Sequence, residues 1–425
     1  MRKNYFLALG LLFSAFTMQA QTEYVDGILV LNEGGMGTSQ GSVSYINAGG
    51  QVTNNIFQVA NEVNELGDVA QGMVSDGEVT LIMLNGSSKV EVVDAKTFVS
   101  LVTIDEGIIL PRYAVVHEGK AYVTCWGNDE TGAYLAVIDM ESYEVENTVS
   151  LSSGVEQIYE KDNKLYVLHM GGFNTNNIMS VYDIATETIE EVEVGNSPSE
   201  LVFHGNYAYI ISMGQSWAEP PLLPGFNRVD LSTLVVENVE ELDGNDSYKF
   251  IAKYEDTFYI KVSADVYTFD ATTLTLSDEP VIETDITTWG GAYGMSIVDD
   301  KLYLADAKNY VSDGDVLVYS LDGVLENTFT VGNLPNNIYA SASSATNSEK
   351  YGKESIKLYP NPATNRVFLT TENNAHIQIF DLLGKELINT TYQSHGIDIS
   401  GLSGGTYLMN IQNDNQSQTI RFVKK

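Results

Sequence analysis

The chain has 425 residues, 44% of them hydrophobic, which is enough for a large core and argues against wholesale disorder. It carries 57 acidic against 22 basic residues, a formal charge of −35, so a phosphate backbone or an anionic lipid surface is repelled and general nucleic-acid binding is excluded. The single cysteine, Cys125, rules out an internal disulfide and a cysteine-based metal site.

Residues 1–20 read as a secretory signal: Arg2 and Lys3 supply the positive start, and Tyr5 to Phe16 the apolar stretch. Ala20 precedes a cut at Gln21. The apolar stretch is short for a bilayer span, and no later segment is apolar enough to be one. No cysteine follows the cut to accept a lipid.

Residues 24–340 show short strands rich in Val, Ile, Tyr and Thr, broken by Gly, Asp and Asn turns. A strand that ends in an Asp-containing turn recurs through this region. It appears at Val93-Asp94, Ile138-Asp139, Tyr182-Asp183, Val229-Asp230 and Phe269-Asp270, with weaker copies at Asn47 and Asp322. An Asp carboxylate can cap its own turn by accepting backbone N–H groups two residues on. A tight turn followed by an apolar strand precedes each copy, as at Gly119, Asn163, Gly205 and Asp300. Four strands repeated seven times at about 45 residues predict a seven-bladed β-propeller.

The closure of the ring is legible too. Each internal repeat opens with an innermost strand, such as Arg112–His117, whereas the first begins at its second strand, Gly27–Val30. Residues 335–340 are predicted to supply the missing strand and complete the blade begun at Asp26. The fold class is therefore all-β: a seven-bladed β-propeller with N/C-terminal strand closure, plus a small C-terminal β-sandwich. Residues 341–355 read as a polar linker, and 356–425 as the second unit.

That second unit carries a specific likeness. Tyr359-Pro360-Asn361-Pro362, Asp381-Leu382-Leu383-Gly384-Lys385, Leu402-Ser403-Gly404-Gly405-Thr406-Tyr407 and the basic end Lys424-Lys425 resemble the type A C-terminal sorting domain of the type IX secretion system. The resemblance implies contact with that machinery and delivery to the medium or the outer-membrane surface of a Bacteroidota-type cell. Within the propeller, Leu31-Asn32-Glu33-Gly34, Leu66-Gly67-Asp68-Val69, Leu84–Val92 and Pro111-Arg112-Tyr113 resemble the YncE-like DUF5074 surface propellers. The best understood of these are similar to BtuG, a lipoprotein that captures vitamin B12. This chain departs from them in lacking the lipid-attachment cysteine.

Propellers bind ligands on one face, near the channel. The face at which the inner strands begin also holds the unequal loops Asn32–Gly41, Cys125–Tyr134, His169–Asn177, Ser212–Asn227 and Asp306–Asp315. Trp126, Trp217 and Trp289 fall there, with Phe173, Tyr310 and His169, while Tyr113, Tyr248 and Tyr293 begin inner strands. Aromatic groups at a mouth suit flat or ring-shaped ligands. Arg112 and Lys249 stand near the same mouth, poised either for a ligand phosphate or carboxylate or for Glu156 and Glu200.

No Gly-x-Ser-x-Gly elbow, phosphate-cradling loop or zinc-spaced pair of histidines is present. Asp313-Gly314-Asp315 falls short of an EF-hand and reads as a turn. The sequence thus points to a binding protein rather than an enzyme, with no cofactor and no metal. Its expected ligand is a cobamide-like nutrient, a glycan or another small molecule. A protein-interaction scaffold and a propeller lyase or lactonase are the alternatives.

Overall fold

A computed structural model describes residues 22–171, 176–216, 218–241, 247–286, 291–344, 358–359, 361–369, 375–381, 385–393, 396–413 and 416–425. The signal segment lies outside them, as does most of the linker. The chain divides into two units, Met1–Thr346 and Asn347–Lys425.

The first unit contains seven four-stranded antiparallel sheets, the blades of the propeller. Blade one runs from Pro335–Ala340 through Ile28–Asn32 and Ser42–Ile46 to Val52–Thr53. The innermost strands of blades two to six are Ala70–Ser75, Pro111–His117, Val155–Lys161, Pro198–His204 and Tyr248–Tyr254. Gly294–Val298 is the innermost strand of blade seven. The predicted closure is present: Pro335–Ala340 pairs with Ile28–Asn32, placing Ile338 opposite Val30 and Ala340 opposite Ile28. The Ser341 hydroxyl oxygen also accepts the Gly27 N–H at 2.8 Å.

A blade is buried on both faces, so its second strand is mostly apolar rather than alternating. All six residues of Val79–Leu84 in blade two are buried. Seven separate hydrophobic clusters fill the seven gaps between blades. Leu81, Met83 and Val92 of blade two, for example, pack against Val123, Cys125 and Ala136 of blade three. Each Val, Leu or Met side chain among them contributes about 1.5–3 kcal/mol when fully buried. The outermost strands are the reverse. Thr188–Glu193 is almost wholly exposed and carries Glu190, Glu191 and Glu193, so acidic charge stays in water.

The recurrent turns form as expected. The Asp139 carboxylate accepts the N–H groups of Glu141 (3.0 Å) and Ser142 (2.8 Å), and Asp94, Asp183, Asp230 and Asp270 cap their turns in the same way. Asp313-Gly314-Asp315, expected to be a turn, instead opens the strand Asp313–Ser320. There Asp315 pairs with Lys308 at 2.7 Å and accepts the Thr330 hydroxyl.

The second unit has a three-stranded sheet, with Arg366–Leu369 at its centre, and a four-stranded sheet ordered Glu386–Thr391, His376–Phe380, Gly405–Asn413, Gln416–Lys424. Val367, Ile377, Ile379, Tyr392, Met409, Ile411 and Phe422 form its core. No helix among the described residues is long and apolar enough to cross a membrane.

Candidate functional site

The inner strands share an irregularity that organises the site. Six of them slip register near their first residues, between Ala70 and Gly72, Pro111 and Ala114, Val155 and Ile158, Pro198 and Glu200, Tyr248 and Phe250, and opposite Leu31/Asn32. A β-bulge of this kind adds a residue to one strand and re-aims its side chain. The positions concerned are Gln71, Arg112, Glu156, Ser199, Lys249 and Asn336. Tyr293, just ahead of Gly294, holds the matching register in blade seven, its N–H bonded to Ala305.

These seven residues form a polar ring at one end of the channel. Gln71, Arg112, Glu156, Ser199 and Asn336 are each less than one tenth exposed, while Lys249 and Tyr293 are half-buried. Polar groups removed from water this far need partners. The contacts found for them join consecutive blades. Asn336 donates to the carbonyls of Ala70 and Gln71 at 3.1 Å, and the Gln71 amide donates to the Tyr113 hydroxyl at 2.9 Å. The Tyr293 hydroxyl donates to Glu33 at 2.8 Å, and Lys249 Nζ to the Ala292 carbonyl at 2.7 Å. One buried acceptor, Oδ1 of Asn336, has no hydrogen-bond partner among the described residues.

Arg112, Glu156 and Trp126 make a compact box. Arg112 Nε donates to both Glu156 oxygens at 3.1 Å, and its Nη2 also meets Oε1. The guanidinium lies 4.1 Å from the Trp126 ring centre, a cation–π contact. The indole N–H donates to the Val155 carbonyl at 2.8 Å and reaches Glu156 at 3.3 Å. Burial opposes the charge on Arg112, yet Glu156 holds its pKa above the ordinary value. Burial also raises the Glu33 carboxyl, against the hydrogen bond from Tyr293. Tyr310 packs edge-to-face on Tyr293, with ring centres 5.7 Å apart.

Two expected residues take other roles. His169 is fully buried, its Nε2 bonded to the Ser180 hydroxyl at 2.8 Å and its Nδ1 near the Ser153 carbonyl, and burial lowers its pKa. Tyr248 is also fully buried, packed 5.9 Å from Phe226 in the core between blades five and six. Neither ring is presented at the mouth. Phe173, Trp217 and Trp289 lie outside the described residues.

Glu33, Gln71, Ser199 and Asn336 belong to the site but were not singled out from the sequence. Register equivalence with Arg112 would have found three of them, had the bulges been visible. No group of three or more metal-ligating side chains comes together among the described residues.

Two family models match the chain: a domain of unknown function, DUF5074, over residues 26–202, and a secretion system C-terminal sorting domain over residues 357–425. No curated protein matches. Among solved structures, the chain is similar to a quinoprotein alcohol dehydrogenase-like protein from Bacteroides thetaiotaomicron, at 12% identity and a TM-score of 0.53, covering 74% of this chain and 78% of that one. It is also similar to a protein of unknown function from Desulfotomaculum acetoxidans, at 13% identity and a TM-score of 0.54, covering 75% and 100%. At such identities the likeness speaks to the fold alone. The chain is thus a β-propeller that matches DUF5074 over residues 26–202, ending in a sorting domain that directs it through type IX secretion to the medium or the outer-membrane surface.

Proposed function

We propose that the propeller is a binding protein without catalytic activity, and that it captures a small polar ligand with a ring-shaped face at the bulge ring. The observation that carries this reading is the ring itself. Five polar side chains, including the Arg112–Glu156 pair, are buried at one mouth, where apolar residues would be less costly. The more open arc, from Lys249 through Tyr293 and Tyr310 to Glu33, combines charge with aromatic surface, which suits a cobamide-like nutrient or a glycan. Export by the sorting domain sets such a site where extracellular nutrients are met.

Calorimetric titration of the exported protein with corrinoids and glycans tests the reading, together with absorbance for the corrinoids. Saturable binding, weakened by Tyr293→Phe or Gln71→Ala, is the expected result. Silence with every ligand, or binding indifferent to both substitutions, overturns it, and turnover of an ester or a polyuronide favours the lyase or lactonase alternative. A protein-interaction scaffold draws on one further observation: Met36 and Val311 are 83% and 80% exposed on loops at the same end of blades one and seven.

A further inference from the structure

The geometry points to Glu33 as the residue that selects the ligand: its carboxylate accepts hydroxyl groups of a neutral sugar, whose C–H face packs on Tyr310. This inference rests on the binding role proposed above and narrows its ligand to a carbohydrate without acidic groups. Glu33 directly follows the strand Ile28–Asn32 and stands where blades seven, one and two meet. Its N–H donates to the Leu334 carbonyl at 2.8 Å, and its carbonyl accepts the Ala70 N–H at 3.0 Å. The loop that leaves it is clamped as well. The Gly34 N–H donates to the Asn333 carbonyl at 3.2 Å, and the Gly37 N–H to the two Asp68 oxygens at 3.0 and 2.9 Å. The residue is thus held in place before a ligand arrives, which spares part of the ordering cost of binding.

The carboxylate has acceptor capacity to spare. An ionised carboxylate offers about four lone-pair sites. Among the described residues only the Tyr293 hydroxyl uses one, at 2.8 Å to Oε2, and Glu33 is half-buried rather than sealed. The inner strand beside it carries a second unmet acceptor. Asn336 turns its Nδ2 toward the carbonyls of Ala70 and Gln71, which fixes the amide orientation because both partners are acceptors. Its Oδ1 faces away from them, and no donor among the described residues meets it. The Ala70 peptide joins the two residues, since its N–H goes to Glu33 and its carbonyl to Asn336. The deficit at this corner is therefore one of donors, and hydroxyls are the donors that an uncharged ligand brings.

Charge and ring geometry support the assignment. Burial raises the Glu33 pKa against the Tyr293 bond and the charge of Arg112, and Glu156 and Asp68 add to the rise. A donated hydroxyl favours the carboxylate, whereas a ligand carboxylate or phosphate would add a third like charge to this corner. Arg112 does not offset that repulsion on its own, because it is already paired with Glu156. Tyr293 and Tyr310 stand edge to face with centres 5.7 Å apart and planes at 86°. The electron-rich face of an aromatic ring attracts polarised C–H bonds. A sugar is built to match, with C–H groups on its faces and hydroxyls around its rim.

Calorimetry of the full exported chain with a panel of neutral oligosaccharides, and with the uronate counterpart of any that binds, tests the subsite. Saturable binding of a neutral sugar is expected, about tenfold weaker or worse in Glu33→Gln and in Tyr310→Ala, and retained in Tyr310→Phe. The uronate should bind more weakly than the neutral sugar, and Glu33→Gln should narrow that gap. The narrowing is the decisive readout, because a chain of net charge −35 repels a uronate from its whole surface. Circular dichroism confirms that each variant is folded. Failure to bind any neutral sugar overturns the subsite, as does an affinity and a preference unchanged in Glu33→Gln. A corrinoid whose binding is weakened by Gln71→Ala but not by Glu33→Gln also overturns it, and leaves the broader binding role standing.

Discussion

Glu200 of blade five accepts the backbone N–H of Ile251 on blade six at 2.8 Å. The same inner-strand register is served twice more. The Tyr159 hydroxyl accepts the N–H of Leu201 at 3.2 Å, and the Tyr339 hydroxyl that of Met73 at 3.1 Å. Each innermost strand has a free edge toward the channel, and an unpaired edge N–H is both costly and adhesive. Side chains from the preceding blade answer it, so the same bonds that cover the edge also tie the blades together.

Glu200 should make stability depend on pH in a way that Gln does not reproduce. Desolvation pushes its carboxyl up to about 8, well above an unfolded glutamate. The neutral form therefore favours the fold. That contribution is complete below the unfolded pKa and is lost as pH rises through the window up to about 8. Glu200→Gln keeps an acceptor for Ile251 and removes the titration. Urea unfolding at about pH 6 and about pH 9 should show the wild-type protein losing on the order of 2 kcal/mol more than the variant. Equal losses would contradict the assignment.

The Arg112–Glu156 pair should be sensitive to the loss of one partner and tolerant of the loss of both. Glu156→Leu strands a buried guanidinium and should cost about 3–5 kcal/mol. The double variant Arg112→Met/Glu156→Leu removes both charges and should recover most of that loss. A double-mutant cycle by denaturant unfolding measures the coupling, and additive single effects would show that the two charges are not coupled.

Ring closure depends on residues 335–340. A chain ending at residue 346 keeps Pro335–Ala340 on blade one and should melt in one cooperative transition. A chain ending at residue 333 leaves Ile28–Asn32 with an open edge, and exposes Val30 and Leu31 of the two clusters that flank blade one. It should aggregate, or bind a hydrophobic dye at room temperature. Matching melting curves for the two chains would show that closure is dispensable.

Gly294 marks a close approach between blades seven and one. A Cβ there would stand 2.0 Å from the Asn336 carbonyl oxygen, a backbone atom that cannot swing aside. Gly294→Ala should cost about 1–3 kcal/mol or more through overpacking, and should disturb Asn336 at the ring. Gly77 has open space around its Cβ position and a φ of +93°, so Gly77→Ala carries backbone strain alone and should cost less. Thermal melts of the two variants give the comparison.

What could be read from the chain was local or repetitive. The Asp turns at Asp94, Asp139, Asp183, Asp230 and Asp270 follow from a carboxylate two residues ahead of a free N–H. The seven repeats, and the strand at 335–340 that the first repeat lacks, follow from counting. Arg112 and Tyr293 could be placed at the mouth because each stands at the start of an inner strand. Facing and register could not be read. A bulge adds one residue without leaving a mark in a two-residue alternation, and that one residue brings Gln71, Ser199 and Asn336 level with Arg112 and Lys249. Burial of His169 and Tyr248 likewise depends on which neighbouring blade packs over them. The sequence by itself determined the blades, their number and the route of export, because these rest on periodicity and short motifs. Only the tertiary structure decided which side chains meet at the mouth, because its hydrogen bonds join neighbouring blades, as Gln71 to Tyr113 (42 residues apart) and, across the closure, Tyr293 to Glu33 (260 apart).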